Sequence, residues 1–286
     1  MADITAQMVK DLRDRTGAGM GDCKKALVET DGNMDNAVDF LRKKGLASAG
    51  KKKDRDANEG LVAYCEINDS ATTAFVEMYC ETDFVAKTDK FTGLLSRFCL
   101  QAASKNPDSI ESFLSSPSLD DASLTVQQKT DELISILGEN IGIARIAVIN
   151  RGPNESVGVY SHNNGQIVAA VHLTGSADKA QLARNLAQHI VAFAPSYLSS
   201  AEVPADIKMR ELDIAAEKNA GKPAQVLEKI AAGALAKYYA ENCLLDQKYL
   251  HDDSKSVAQI LEQEKASIKQ HIYWKVGGAK PEQAES

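Results

Sequence analysis

The sequence is short of nearly everything that marks a catalyst, a membrane protein or a disulfide scaffold. No run approaches the roughly 18 consecutive apolar residues that a membrane span needs, so no membrane partner is expected. The five cysteines (Cys23, Cys65, Cys80, Cys99 and Cys243) are odd in number, scattered and without a CxxC pair. Neither a disulfide framework nor a zinc site is suggested, and a reduced cytoplasm is the expected compartment. The five histidines (His162, His172, His189, His251 and His271) lack HExxH-type spacing. Nothing local marks a nucleophile, so an enzyme is not expected, and no cofactor is implied. The first residues, Met1-Ala2-Asp3-Ile4, carry neither a basic nor an apolar region, and no secretory signal is expected. Positive charge is also scarce. Lys plus Arg number 33 against 40 Asp plus Glu, a net charge of −7. Proteins that grip phosphate backbones are basic at least locally. Direct nucleic-acid binding is therefore not expected, and a protein or small-molecule partner is.

What remains is an ordinary globular composition, 44% hydrophobic and 26% charged over 286 residues, enough for two or three units. Residues 1–46 read as three short helices. Ile4, Met8 and Leu12 form one stripe, Met20, Cys23 and Leu27 a second, and Met34, Ala37, Val38 and Leu41 a third. Asn33 reads as an N-cap and Gly45 as a C-cap residue. A charged linker, Lys51 to Asp56, follows. From Gly60 the period becomes two. Leu61 to Ile67, the turn Asn68-Asp69-Ser70 and Thr73 to Cys80 make a hairpin, then a helix carries Phe91, Leu94, Leu95, Phe98 and Ala102 on one face. The same order returns with Val157 to Tyr160, the turn Asn163-Asn164-Gly165, Ile167 to Leu173, and a helix with Leu182, Leu186, Ile190 and Phe193. Two hairpin–helix units suggest an internal duplication. Residues 106–138 connect them through a Ser-, Pro- and Asp-rich loop and an amphipathic helix stopped near Gly138. Residues 202–241 are rich in Ala, Glu and Lys and break at Gly221-Lys222-Pro223, the signature of a helical hairpin. A short helix with Val257, Ile260 and Leu261 and a strand from Ile268 to Val276 close the pattern.

Few stretches carry chemistry. Gly17-Ala18-Gly19-Met20-Gly21 is glycine-rich, but no strand precedes it and no GK[ST] follows, so it reads as a helix-to-helix turn. His189 lies on an apolar helix stripe and reads as a satisfied core residue; His162, beside a hairpin turn, reads equally as a plain surface residue or a projecting contact. Thr82-Asp83-Phe84-Val85-Ala86-Lys87 lies between the second strand and its helix. An aromatic there either packs under its own helix or stands out as a wedge for a partner's pocket, beside a carboxylate.

Several stretches together resemble the elongation factor Ts family, the nucleotide exchange factors for elongation factor Tu. They are Leu12 to Met20 with Asp22 to Leu27, Glu81 to Lys87, Gly138-Glu139-Asn140, Gly221-Lys222-Pro223 with Glu228-Lys229-Ile230, and Leu244-Leu245-Asp246-Gln247. The resemblance implies an α+β protein with a three-helix ubiquitin-associated-type bundle and linker (1–53). It further implies a core of two antiparallel-sheet-plus-helix subdomains (54–141, then 142–198 with 243–276) and a helical-hairpin, coiled-coil insertion (199–242). The tail, 277–286, is expected to be disordered. The resemblance also implies that Thr82, Asp83, Phe84 and Val85 enter elongation factor Tu near its magnesium site and help displace the ion. Partner contacts are implied for Arg13, Met20, Lys52 and His162, and the helical hairpin is a candidate homodimer surface. Three departures stand out. Gly21 replaces a family methionine, Lys248 a family proline, and the chain runs only about ten residues past its last strand, so a further C-terminal contact helix is expected to be missing. A rival reading is an adaptor, whose bundle recruits a partner without acting on any nucleotide.

Overall fold

The computed structural model describes residues 3–50, 52, 54–69 and 71–278, with backbone alone at 46–49. The chain forms two compact units. One holds the residues up to Asn150 with Asn164–Gln166 and the segment from Lys275; the other holds Arg151–Asn163 and Ile167–Trp274. The fold is α+β, as expected, but the strands are shared out differently.

The first unit opens with helices α1 (Ala6–Thr16), α2 (Met20–Glu29) and α3 (Met34–Gly50). Thr5 caps α1, its Oγ1 accepting from the Met8 N–H at 3.2 Å. Asn33 caps α3 as expected, accepting from the Asn36 N–H at 3.0 Å. Val9, Leu12, Cys23, Ala26, Leu27, Ala37 and Leu41 close the bundle core. Two expectations fail here. Met20, expected in the core stripe, stands 47% exposed. Gly45 does not end α3, which runs through it. Its missing side chain serves close approach instead, since a Cβ there would lie 3.2 Å from Ser135.

Ser135 belongs to α7, and the elements between are the first subdomain. Strands β1 (Glu59–Ile67) and β2 (Thr72–Cys80) form the expected hairpin. A four-residue helix α4 (Asp83–Ala86) and then α5 (Asp89–Lys105) follow, with Phe91, Leu94, Leu95, Phe98 and Ala102 all buried against the sheet. The loop that follows contains a short helix, α6 (Ile110–Ser115), then α7 (Val126–Leu137), ended by Gly138 at φ +84°. Strand β3 (Gly142–Asn150) then pairs antiparallel with β2, from Tyr79↔Gly142 to Thr72↔Asn150, giving sheet order β1-β2-β3. Residues 142–150 were expected to open the second subdomain. They complete the first instead, because β2 has a free edge to pair and β1 occupies only the other.

The second unit repeats the plan. Strands β4 (Glu155–His162) and β5 (Ile167–Thr174) pair antiparallel, and α8 (Ala180–Phe193) covers them with Ala183, Leu186, Ala187 and Ile190. Phe193, expected on that face, is exposed. The helical hairpin is α9 (Ala205–Lys218) and α10 (Ala224–Asn242), broken at Gly221-Lys222-Pro223 as expected. Its base is tied where the Ser196 and Tyr197 N–H groups donate to the Asn242 carbonyl at 2.9 and 3.1 Å. A small ribbon, β6 (Lys248–Tyr249) with β7 (Asp252–Ser256), precedes α11 (Val257–Gln263) and β8 (Ser267–Lys275), and β8 joins the order β4-β5-β8. Of the expected disordered tail, Gly277 and Gly278 form a turn, and 279–286 lie outside the described residues.

Candidate partner-binding loop

The stretch singled out by sequence, Thr82 to Lys87, is a braced loop. Thr82 has extended backbone and caps α4, its Oγ1 accepting from the Val85 N–H at 3.4 Å. A carboxylate 57 residues further along the chain, just before the strand that pairs with β2, holds it there. Glu139 Oε2 accepts the N–H groups of Glu81 and Thr82, each at 3.0 Å, and its Oε1 accepts the Thr82 hydroxyl at 2.6 Å. The lock is reciprocal. Glu81 Oε1 accepts the Asn140 N–H at 2.6 Å and pairs with Arg55 at 3.3 Å, and Asn140 Nδ2 donates to the Arg55 carbonyl at 2.8 Å. Burial, and next the Glu139 charge, push the neighbouring Cys80 thiol up to about 12.

On this frame the side chains divide. Ala86 is buried and Val85 packs against the sheet core. Phe84 is 80% exposed, the most exposed large hydrophobic among the described residues. Of the two readings open from sequence, packing beneath its own helix is overturned. An isolated apolar ring of this size in water costs free energy that a partner's pocket would recover. Asp83 is half-buried, its side chain 43% exposed. The Lys87 ammonium, hydrogen-bonded to it at 2.6 Å, holds its carboxyl below the ordinary range.

The other candidate residues lie as follows. Arg13 and Met20 are exposed on α1 and α2 and flank the glycine-rich turn. That turn approaches the start of α5 and the end of α7, for a Cβ on Gly17 would lie 3.1 Å from Lys90 Nζ and 3.3 Å from Ile136. The bundle thus reaches the same edge of the unit as the loop, which ends where α5 begins. Lys52 is half-buried, and its Nζ points inward to the Ile134 carbonyl at 3.5 Å. His162, in the other unit, is exposed at the end of β4, its Nδ1 3.3 Å from the Tyr160 hydroxyl. His189 is the satisfied core residue expected. Its Nδ1 accepts the Leu250 N–H at 3.2 Å, so Nε2 carries the proton donated to Gln247 Oε1 at 2.9 Å, and burial lowers its pKa. The sequence offers Gly138-Glu139-Asn140 only as one of the stretches that carry the family resemblance, and it gives Glu139 no role.

A cavity of about 340 Å³ opens between the bundle and α7. Its cations are already engaged, Arg42 with Glu132 and Asp121, Lys129 with the same two acids, and Arg15 with Asp35. Among the described residues no cluster of three His, Cys, Asp or Glu side chains gathers as metal ligands would, and no helix is long and apolar enough to cross a membrane.

These features define a two-unit α+β protein whose most distinctive surface is a braced loop carrying an unburied aromatic. The model of one family, elongation factor Ts, matches residues 81–278. Curated relatives extend the likeness through the bundle. Elongation factor Ts of Protochlamydia amoebophila is 41% identical over 283 residues, covering 97% of this chain and 100% of that protein. The Lactiplantibacillus plantarum protein of the same name is 42% identical over 279 residues, covering 97% and 93%, and that of Chlamydia felis 37% over 283, covering 97% and 100%. The chain belongs to the elongation factor Ts family, and so to the elongation factors of protein biosynthesis.

Proposed function

We propose that this chain is a guanine nucleotide exchange factor for elongation factor Tu, that it performs no covalent chemistry, and that it works in the cytoplasm. The observation that carries the reading is Phe84, held out at 80% exposure on a loop whose backbone is capped and braced. An exchange factor binds the nucleotide-free partner more tightly than the GDP-bound one, and linkage requires that it weaken GDP by the same factor. GDP in such a site is held by backbone donors and by a magnesium ion bridging phosphate and protein oxygens. Phe84 inserts and shifts the partner's elements. Asp83 exchanges its bond to Lys87 for groups on the partner that hold the ion-free form, and Thr82 and Val85 keep the two aligned. Arg13, Met20 and His162 add binding energy, and Lys52 joins them once it leaves the Ile134 carbonyl. The helical hairpin serves self-association, since α10 buries none of its residues and Met209 and Val226 are exposed.

The test is release of a fluorescent GDP analogue from elongation factor Tu, with and without this chain. Acceleration that weakens as magnesium is raised is expected. Binding without acceleration would make the chain an adaptor. Acceleration that ignores magnesium would remove ion displacement from the mechanism, and a magnesium response unchanged by Asp83→Ala would clear that residue of a part in it.

A further inference from the structure

We infer that Glu139 is a positioning residue for the exposed loop: its carboxylate sets the direction of Phe84 without touching the partner. The inference rests on the exchange reading above for its consequence, but its geometric content stands apart. Helix α4 has only four residues, far below the length at which a helix holds itself in water. The Phe84 ring is mostly in solvent, so core packing does not set its direction and the backbone of α4 must. That backbone is anchored below by Ala86 and Val85 and at its N-terminus by Thr82. Thr82 is in turn held twice by Glu139, through its N–H at 3.0 Å and its hydroxyl at 2.6 Å. Since the same Thr82 oxygen accepts the Val85 N–H, a single hydroxyl links Glu139 to the first turn of α4.

The acceptor must be a carboxylate of this length. Three donors converge on its two oxygens, those of Glu81 N, Thr82 N and Thr82 Oγ1. An ionised carboxylate offers acceptors alone. An amide would present N–H₂ to one or more of those donors, and an aspartate would fall short by a methylene. Glu139 can reach them because Gly138, left-handed at φ +84°, ends α7 and turns the chain toward the loop. The return bond from Asn140 N to Glu81 closes the ring, so the two segments fix each other with bonds that involve charged groups, the stronger kind.

Two measurements on the full chain test this. The first needs no partner: chymotrypsin cleavage after Phe84, followed by mass spectrometry under native conditions. Glu139→Gln and Thr82→Val should each raise cleavage there by about tenfold, the scale expected from losing a hydrogen bond to a charged group, while Thr82→Ser, which keeps the hydroxyl, should cleave like wild type. The second is GDP release over a range of concentrations of this chain. Glu139→Gln should lower the maximal rate by about tenfold with a smaller change in the half-saturating concentration, because fewer molecules present the loop correctly. In the Phe84→Ala background it should add nothing. Wild-type cleavage and release in both Glu139→Gln and Thr82→Val would overturn the inference. So would losses that add to those of Phe84→Ala. If Glu139→Gln does not fold, the Thr82→Val and Thr82→Ser pair decides alone. If the wild-type chain itself fails to accelerate release, the exchange reading falls and the consequence for rate with it, and the cleavage result still decides the geometry.

Discussion

The two sheet subdomains follow one plan and spend it differently. In each, a hairpin is covered by a helix, the chain makes a helical excursion, and a third strand returns beside the hairpin's second strand. In the first, the excursion joins the core, with Phe113 from α6 and Val126, Leu133 and Ile134 from α7 in the same cluster as α5. In the second, α9 buries only Ala215 and α10 nothing. The link from the second strand to the helix differs too. In the first subdomain it contains α4 and the exposed Phe84. In the second it is a plain turn, in which Ser156 Oγ donates to the Ser176 carbonyl at 2.7 Å and accepts the Lys179 N–H at 3.0 Å. One strand-and-helix plan can therefore carry an exposed aromatic loop in one subdomain and an appended helical hairpin in the other without changing how either core closes.

The sharpest break in this comparison is steric. A Cβ on Gly158, under α8, would overlap the backbone of Ala183 and Arg184, whereas the nearest atoms to one on Gly142 belong to the Tyr79 side chain. Gly158→Val should destabilise the second unit by about 3 kcal/mol and Gly142→Ala the first by about 1 kcal/mol, as overpacking commonly does. Calorimetric unfolding of the two variants checks this, and the reverse order would mean that α8 can lift off its sheet.

Phe84→Ala comes next. It should cost about 2 kcal/mol in the proposed exchange activity, the range of an interface anchor. Stability should change by less than about 0.5 kcal/mol, as for an exposed position. Loss of the cooperative unfolding transition would show that the ring stabilises the free protein instead.

The two units should also differ in their response to acid. Glu155 is lowered to about 2, first by the Gly152 N–H and then by Lys269. That contribution is present above the unfolded value of about 4.3 and is lost as pH falls toward 2. Buried His189, with its lowered pKa, adds stability to the same unit above about 6.5, lost as pH falls below that. In the first unit Glu77 is raised by burial, opposed by Arg145. Its contribution is present at low pH and is lost as pH rises past about 4.3 through its folded value. Asp83, Glu111 and Asp121 in the first unit and Asp178 and Asp252 in the second are also held low, by local hydrogen bonds at the surface, so the units divide on Glu155 and His189 against Glu77. Acid should therefore unfold the second unit first, and Glu155→Gln should flatten its melting profile below pH about 4.3. A first unit that melts earlier would reverse the assignment.

The smallest effect belongs to the helical hairpin. Replacing 205–241 by a short linker keeps buried Val203, Cys243 and Leu244 and the bonds to the Asn242 carbonyl. Stability should shift by about 1 kcal/mol, the scale of a change in loop closure. An insoluble product would show that the hairpin completes the core. A fall from dimer to monomer in light scattering would confirm self-association.

Local period and punctuation determined most of the elements. The alternation of Leu61 to Ile67, the stripe Phe91 to Ala102, the turn at Asn163 to Gly165 and the stop at Gly221-Lys222-Pro223 each need only neighbours within a few residues, and each was legible. Gly45 was not, because a glycine that ends a helix and one that admits a second helix look alike until Ser135 is seen against it. The place of Gly142–Asn150 was not legible either, since a strand carries its period but not its partner, and β2 lies more than 60 residues back. The candidate loop divided in the same way. The Thr82–Val85 motif could be read from the chain, and so could the two fates open to Phe84. Only the tertiary structure decided between them, because Glu139, 57 residues away, holds Thr82 and leaves the ring in solvent.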